Sequence, residues 1–170
     1  MKLKNMLKVA SIALVLSVAF TSCNKDKNRV EDFNYTVNTG QLNAAWAYAG
    51  DHASNVTADI KLEGQKEGTM ITVTINNSVN GETYNVHAHD AAEATSTPNG
   101  TPYNEAPNAG VFVKQISGNG SAASASFLST MSVTELTETY EGFLVVHDPL
   151  QTMSTTDPTT FIILGSFARS

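Results

Sequence analysis

The chain is predicted to fold as an all-β domain, either a closed antiparallel barrel or a two-sheet sandwich. Three observations predict this class. Short runs of β-branched and aromatic residues alternate with polar ones, Gly, Asn and Asp clusters separate these runs, and no credible helix is present. A chain of 170 residues allows one such domain with a substantial core.

Eight strands are predicted in chain order. The first carries Trp46 and Tyr48, and the third places Ile71, Val73 and Ile75 on one face. The turn at 117–120 is predicted to form a hairpin between two later strands. The predicted strands cover residues 42–49, 56–62, 70–75, 83–89, 111–116, 122–128, 142–147 and 161–167.

A signal sequence is predicted before the domain. Lys2, Lys4 and Lys8 lead into an apolar run at 9–20, and the only cysteine, Cys23, follows directly. This cysteine resembles the lipidated cysteine of bacterial lipoproteins. The alternatives are an ordinary signal peptide with an accidental cysteine and a transmembrane anchor, for which the run is short.

The predicted organisation is therefore a lipoprotein signal peptide at 1–22, lipidated Cys23 with a flexible tether at 23–36, and the β-domain at 37–170. We expect an envelope protein of a bacterium, attached to the membrane by its lipid and facing the periplasm or the outer surface. With Cys23 lipidated, no thiol remains for an intrachain disulfide.

The charge excludes nucleic acid as a partner. The chain has 10 Lys and Arg against 16 Asp and Glu, a formal charge of −6. Signal removal takes away three lysines and no acid, which leaves −9. A polyanion is not recognised by an acidic surface.

Histidines close two of the predicted strands. His87 and His89 lie two residues apart, so they share one face of their strand, while Val86 and Ala88 share the other. His147 ends the strand at 142–147. Long loops at 90–110 and 148–160 follow, as is typical of functional sites. The plain alternative is solvated histidines at strand ends.

Imidazole nitrogens suit copper, which binds a given nitrogen site more tightly than zinc does. Met153, in the loop after His147, is a candidate thioether ligand, whereas Met131 is a weaker one, and most methionines are packing residues. Asp90 and Asp148 each follow a candidate ligand and could orient an imidazole by accepting a hydrogen bond from the ring nitrogen that does not bind the metal, or simply begin a loop. His52 is predicted to be a solvated turn residue away from this site.

Several segments together resemble copper/zinc superoxide dismutases. They are His87-Ala88-His89, the loop segment 99–104, Gly118-Asn119-Gly120, Val145-Val146-His147-Asp148 and the closing run 161–165. The resemblance covers roughly residues 40–168. It implies an eight-stranded Greek-key barrel with a metal site outside the barrel wall, under the two long loops. It also implies that His87, His89 and His147 are three of the four copper ligands.

The resemblance is incomplete at positions that matter. Pro102 stands where the family has the histidine that bridges copper and zinc, and no histidine lies between His89 and His147. No zinc is therefore expected. The loop cysteine of the family is also missing. The loop at 148–160 lacks the arginine that guides superoxide, and the two loops carry Glu93, Glu105, Asp148 and Asp157 instead.

Two functional classes remain, with copper or superoxide as the small-molecule partner. The first is a degenerate, copper-binding or non-catalytic relative, which the acidic loops favour because they offer no anion steering. The second is a copper-only superoxide dismutase that converts superoxide to oxygen and hydrogen peroxide. A metal-free polar cluster and a carbohydrate- or protein-binding module, for which aromatic residues are too few, are further alternatives.

The alternation also predicts which side chains face the core. The expected inward set is Ile60, Leu62, Ile71, Val73, Ile75, Val86, Leu144, Val146 and Ile163. A slip of one residue would bury the histidines in the core and expose the aliphatic side chains.

Overall fold

The computed structural model describes residues 26–169, and the predicted signal peptide and lipidation at Cys23 lie outside them. Two antiparallel sheets make up this part of the chain. The strands are β1 (Val30–Tyr35), β2 (Thr57–Gln65), β3 (Gly68–Asn76), β4 (Thr83–Ala91), β5 (Tyr103–Pro107), β6 (Val113–Ser117), β7 (Ala123–Ser129), β8 (Gly142–His147) and β9 (Phe161–Ser166). The remaining elements are short turns of 3₁₀ or π-helix at Ala44–Trp46, Ala94–Ser96, Pro98–Gly100, Glu135–Thr139 and Pro158–Thr160.

The first sheet has the strand order β1-β2-β3-β7, and the second has β5-β4-β8-β9 with β6 also paired to β4. The all-β prediction is confirmed. The described strands number nine rather than eight, and their ladders form two separate sheets rather than one closed barrel. Although the turn at 117–120 connects β6 to β7, these strands pair with β4 and β3, so this connection joins the two sheets.

Three stretches differ from the sequence prediction. The aromatic run at 42–49 is not a strand but contains the 3₁₀ turn Ala44–Trp46. Residues 30–35, assigned to the flexible tether, form β1, and residues 103–107, assigned to a loop, form β5. The β-domain thus begins before the predicted boundary at residue 37. The charged residues of β1 can form an edge strand because β2 supplies the partner for their backbone hydrogen bonds.

The core lies between the sheets and follows the predicted alternation. Paired positions such as Ile60 and Val73, or Ala88 and Leu144, meet across the ladders and point the same way. The predicted inward set is confirmed, since each member is at most 1% exposed: Ile60, Leu62, Ile71, Val73, Ile75, Val86, Leu144, Val146 and Ile163.

A second, smaller apolar cluster covers the outer face of the second sheet. It consists of Tyr103, Val145, Phe161 and Leu164, with the partly buried Phe143 packed against it. Tyr103 comes from β5, so the segment that follows β4 folds back over the sheet. As a result, the outer face of β4 and β8 is enclosed as well as the inner face.

The segment before β1 is fixed to the domain. The buried carboxylate of Asp26 accepts hydrogen bonds from the backbone N–H of Thr134 at 2.8 Å and from its hydroxyl at 2.9 Å. Asn28 N–H donates to Gly64 O, and Gly64 N–H donates to Arg29 O. Among residues 26–169, no helix has the length and apolarity needed to cross a membrane.

Candidate metal centre

Three histidines meet on the outer face of the β4–β8 ladder. His87 pairs with Val145 and His89 with Phe143, while the neighbouring Val86 and Ala88 face the core. A register shift between Val146 and His147 lies at the end of β8. The strand alternation therefore places the imidazoles where the sequence predicted, on the face opposite the main core.

The rings are close to one another. Ring centroids lie 5.8 Å apart for His87 and His89, and 5.1 Å apart for His87 and His147. Phe161 packs edge-on against His147 at 4.8 Å, and Tyr103 lies 5.5 Å from His89. His89 and His147 are each only 3% exposed, whereas His87 is half-buried. The prediction of an outward direction is correct, but the site is largely covered rather than solvated.

Most ring nitrogens of the cluster have no hydrogen-bond partner. His89 Nδ1 lies 2.8 Å from Asn104 O, and since a carbonyl only accepts, Nδ1 carries the proton and Nε2 keeps its lone pair. His89 Nε2, His87 Nδ1 and both nitrogens of His147 are buried without a partner. Buried polar atoms of this kind call for a ligand or a special role.

The enclosure keeps these imidazoles neutral. Burial, with a smaller contribution from neighbouring histidines, lowers the pKa of His87 and of His147 to about 4. Burial also lowers the pKa of His89, opposed by the Asn104 carbonyl and by the charge of Asp90. Neutral imidazole is the form that binds a metal.

The donor set fits a nitrogen-preferring ion. Imidazoles that share one ion at about 2 Å have ring centres roughly 5 Å apart, close to the two separations seen here. Among residues 26–169, however, no three His, Cys, Asp or Glu side chains form a ready ligand set. The three histidines lie together and most of their ring nitrogens are unpartnered, but their donor atoms are not already arranged around one point.

The two aspartates predicted to orient imidazoles make other contacts. Asp148 accepts hydrogen bonds from Tyr48 Oη at 2.5 Å, Leu150 N–H at 2.8 Å and Gln151 Nε2 at 2.8 Å. Asp90 accepts from Asn108 Nδ2 at 2.6 Å. These contacts agree with the alternative that each aspartate begins a loop, since His89 Nδ1 is paired with Asn104 O and both nitrogens of His147 lack a partner. The orienting role stays a prediction.

The prediction for His52 is also wrong. It is 6% exposed rather than solvated, and its ring bridges Ala53 O at 3.2 Å and Tyr84 Oη at 2.7 Å. Tyr84 comes from β4, and its hydroxyl also accepts from Val79 N–H at 2.8 Å. Since Ala53 O accepts, Nδ1 is the donor of His52 and Nε2 accepts from the Tyr84 hydroxyl.

The two methionines differ in position. Met153 lies in the second covering loop and is 53% exposed, so the structure does not bury it with the imidazoles. Met131 packs against the main core and is a packing residue.

Sequence reasoning gave no role to Tyr103 or Asn104. Tyr103 forms a wall beside His89, and Asn104 sets the tautomer of His89 through a backbone carbonyl. A carbonyl is present at every residue, so the sequence carries no signal for this contact. For Tyr103, the sequence did carry a signal: an aromatic residue in the loop that follows two candidate ligands can pack against them.

The covering loops have no positive charge to offer an anion. No Lys or Arg occurs between Lys66 and Lys114 or between Lys114 and Arg169. The ammonium of Lys114 lies over the ring of Phe127, 5.5 Å from its centroid.

Compared with protein-family models, curated proteins and solved structures, the chain matches none.

Proposed function

We propose that this chain is an exported lipoprotein whose β-domain binds one copper ion at His87, His89 and His147 and is, at best, a poor superoxide dismutase. The observation that carries the proposal is the convergence of three neutral imidazoles with unpartnered nitrogens in a covered site. Copper is the ion of choice because nitrogen sites of this kind favour it over other divalent first-row metals.

Strand order supports the likeness to copper/zinc superoxide dismutases. β3 pairs with β7 rather than with β4, which follows it in the chain, and β4 pairs with β6 in the other sheet. We infer a Greek-key connection from this order, in keeping with what the likeness implies. The histidines on the outer face, under two long loops, are also where the likeness predicts a metal.

The chain's own residues favour binding over catalysis. When bound, copper would supply one-electron redox chemistry. Around it, Tyr103 and Phe161 exclude water, and Asn104 O holds the His89 proton away from the ion. Pro102, at the position of the family's bridging histidine, offers neither a ligand nor a proton donor. The acidic loops give superoxide no electrostatic guidance.

Copper analysis of the purified chain tests the binding proposal. We expect one copper per chain, and loss of stoichiometric copper in His87→Ala and in His147→Ala. His52→Gln is the matched control, because it changes a buried histidine outside the cluster and should retain copper. Unchanged copper in both cluster variants would refute the site.

Superoxide dismutation by the copper-loaded chain, at low and high salt, tests the second part. We expect slow turnover that does not fall as salt rises. A rate near the diffusion limit that falls with salt would reveal an attractive field. That outcome would assign the chain to the copper-only superoxide dismutases.

The envelope location rests on the signal sequence and Cys23. Mass spectrometry of the mature protein should show a chain that begins at Cys23 with a lipid attached. An unmodified cysteine, or cleavage at another position, would refute the lipoprotein proposal without affecting the copper proposal.

A further inference from the structure

A second group of unpartnered polar atoms lies beneath the covering loops and shares no residue with the three histidines. Tyr103 and Glu105 are two residues apart in β5 and therefore point to the same side. Tyr103 is fully buried, and its hydroxyl has no hydrogen-bond partner. Both carboxylate oxygens of Glu105 are also buried without a partner. Three oxygens are thus shielded from water and unsatisfied.

The loop at 148–160 forms the other wall of this group. Thr155 approaches the Glu105 carboxylate, although neither oxygen has a hydrogen bond of normal geometry. The charges of Glu105 and of Asp157 both act on the Tyr103 hydroxyl. Asn99 Nδ2 donates a hydrogen bond to Thr156 O and so links the two loops here. Residues from both loops therefore enclose the unsatisfied oxygens.

Asp157 is held in place but keeps one oxygen available. Its Oδ1 accepts from the backbone N–H of Thr159 at 3.0 Å and from the Thr159 hydroxyl at 2.7 Å. These bonds cap the short turn Pro158–Thr160 and hold the exposed carboxylate of Asp157 in place. The second oxygen, Oδ2, is not used in them.

Such a group requires a positive partner. Leaving a buried carboxylate unpaired is costly, and burial accordingly raises the pKa of Glu105. The loops supply no Lys or Arg, since none occurs between Lys66 and Lys114 or between Lys114 and Arg169. A cation bound from solvent would supply the charge that the loops lack, and carboxylate and hydroxyl oxygens favour a hard cation.

We propose that Glu105, Tyr103 and Asp157 bind a hard divalent cation between the two loops that cover the histidines. Ca²⁺ is the ion that we expect to bind. Ca²⁺ accepts six to eight oxygen ligands in flexible geometry, so water and loop carbonyls would complete the set. Bound there, the ion joins β5 to the second loop and holds the cover of the histidine cluster closed. The proposal does not depend on copper binding, because oxygen ligands and imidazoles select different metals.

Thermal unfolding and calorimetric titration of the full, chelator-treated chain with CaCl₂ test the site. We expect saturable binding of one Ca²⁺ and a rise in Tm of about 5–10 °C at a hundredfold excess over Kd. Glu105→Gln should weaken Ca²⁺ binding by about tenfold or more, since it removes a full ligand charge. Tyr103→Phe keeps the ring and should weaken binding less.

Glu93→Gln is the matched control, because it removes an exposed acid from the same loop and should leave Ca²⁺ binding unchanged. Without metal, Glu105→Gln should be at least as stable as the parent chain, which guards against loss of folding. No saturable response to Ca²⁺ or Mg²⁺ would overturn the proposal. So would an equal loss in Glu93→Gln and Glu105→Gln, which would indicate only screening of the chain's negative charge.

Discussion

The inner and outer faces of the β4–β8 ladder are both enclosed, but they are enclosed by different chemistry. On the inner face, Val86, Ala88, Leu144 and Val146 are fully buried in an apolar core. On the outer face, the same strands bury histidines whose nitrogens lack partners. The inner face buries only apolar side chains at these positions, whereas the outer face leaves buried ring nitrogens without a hydrogen-bond partner. Burial alone therefore does not separate a structural position from a functional one.

His52 sharpens this comparison. It is buried like His89 and His147, yet both its nitrogens have partners, Ala53 O and the Tyr84 hydroxyl. Its role is accordingly structural, linking the segment before β2 to β4. What distinguishes the candidate ligands is the absence of partners for buried ring nitrogens.

The largest effect is expected from truncating the inner face. Leu144→Ala should lower the free energy of unfolding by about 2–5 kcal/mol, because it leaves a cavity in a well-packed core. Val145→Ala, on the outer face, should cost less, since the side chain and its cluster are smaller. Urea unfolding of the metal-free chain measures both. Equal costs would contradict the distinction between a main and a secondary core.

The next largest effect is the loss of folding stability at acidic pH caused by the histidines of the outer face. The pKa of His87 and of His147 is about 4 in the folded chain against 6.5 in the unfolded one. The unfolded state therefore binds more protons between these values, and stability falls as pH drops from 6.5 to 4. The slope is at most about 1.4 kcal/mol per pH unit for each histidine.

A pH series of unfolding in His147→Phe isolates this effect. The variant should lose one histidine's share of the slope, whereas contributions from other groups remain. Glu105 is one of these and opposes the slope, because its raised pKa favours the folded state as pH falls. An unchanged slope in the variant would contradict the assignment.

The smallest expected effect is the difference in stability at neutral pH between replacing His52, whose nitrogens have partners, and replacing His147, whose nitrogens have none. His52→Phe should lower the free energy of unfolding by about 1–3 kcal/mol, because the Tyr84 hydroxyl loses its acceptor. His147→Phe should be within about 1 kcal/mol of neutral or stabilising, since it removes unsatisfied nitrogens and packs against Phe161. Chemical denaturation without metal gives both values. Equal losses would show that His147 also has a structural partner.

Local sequence was sufficient to predict part of the fold and of the candidate site. Alternation in β4 separates Val86 and Ala88 from His87 and His89, and β8 repeats the pattern up to His147. The same reasoning failed for β1, whose charged residues become a strand only by pairing with β2. It also failed for 42–49, where aromatic residues resemble a strand but no neighbouring strand pairs with them.

By itself, the sequence determined the all-β class, the inward set and the face on which the histidines lie, because strand geometry repeats every two residues and needs no distant partner. Only the tertiary structure decided which polar atoms are satisfied. His52 pairs with Tyr84 across 32 residues and Asp148 with Tyr48 across 100, while the Glu105 oxygens and four of the cluster nitrogens have no hydrogen-bond partner. Hydrogen-bond partners depend on which segments the folded chain brings within about 3 Å, and local pattern does not encode that distance.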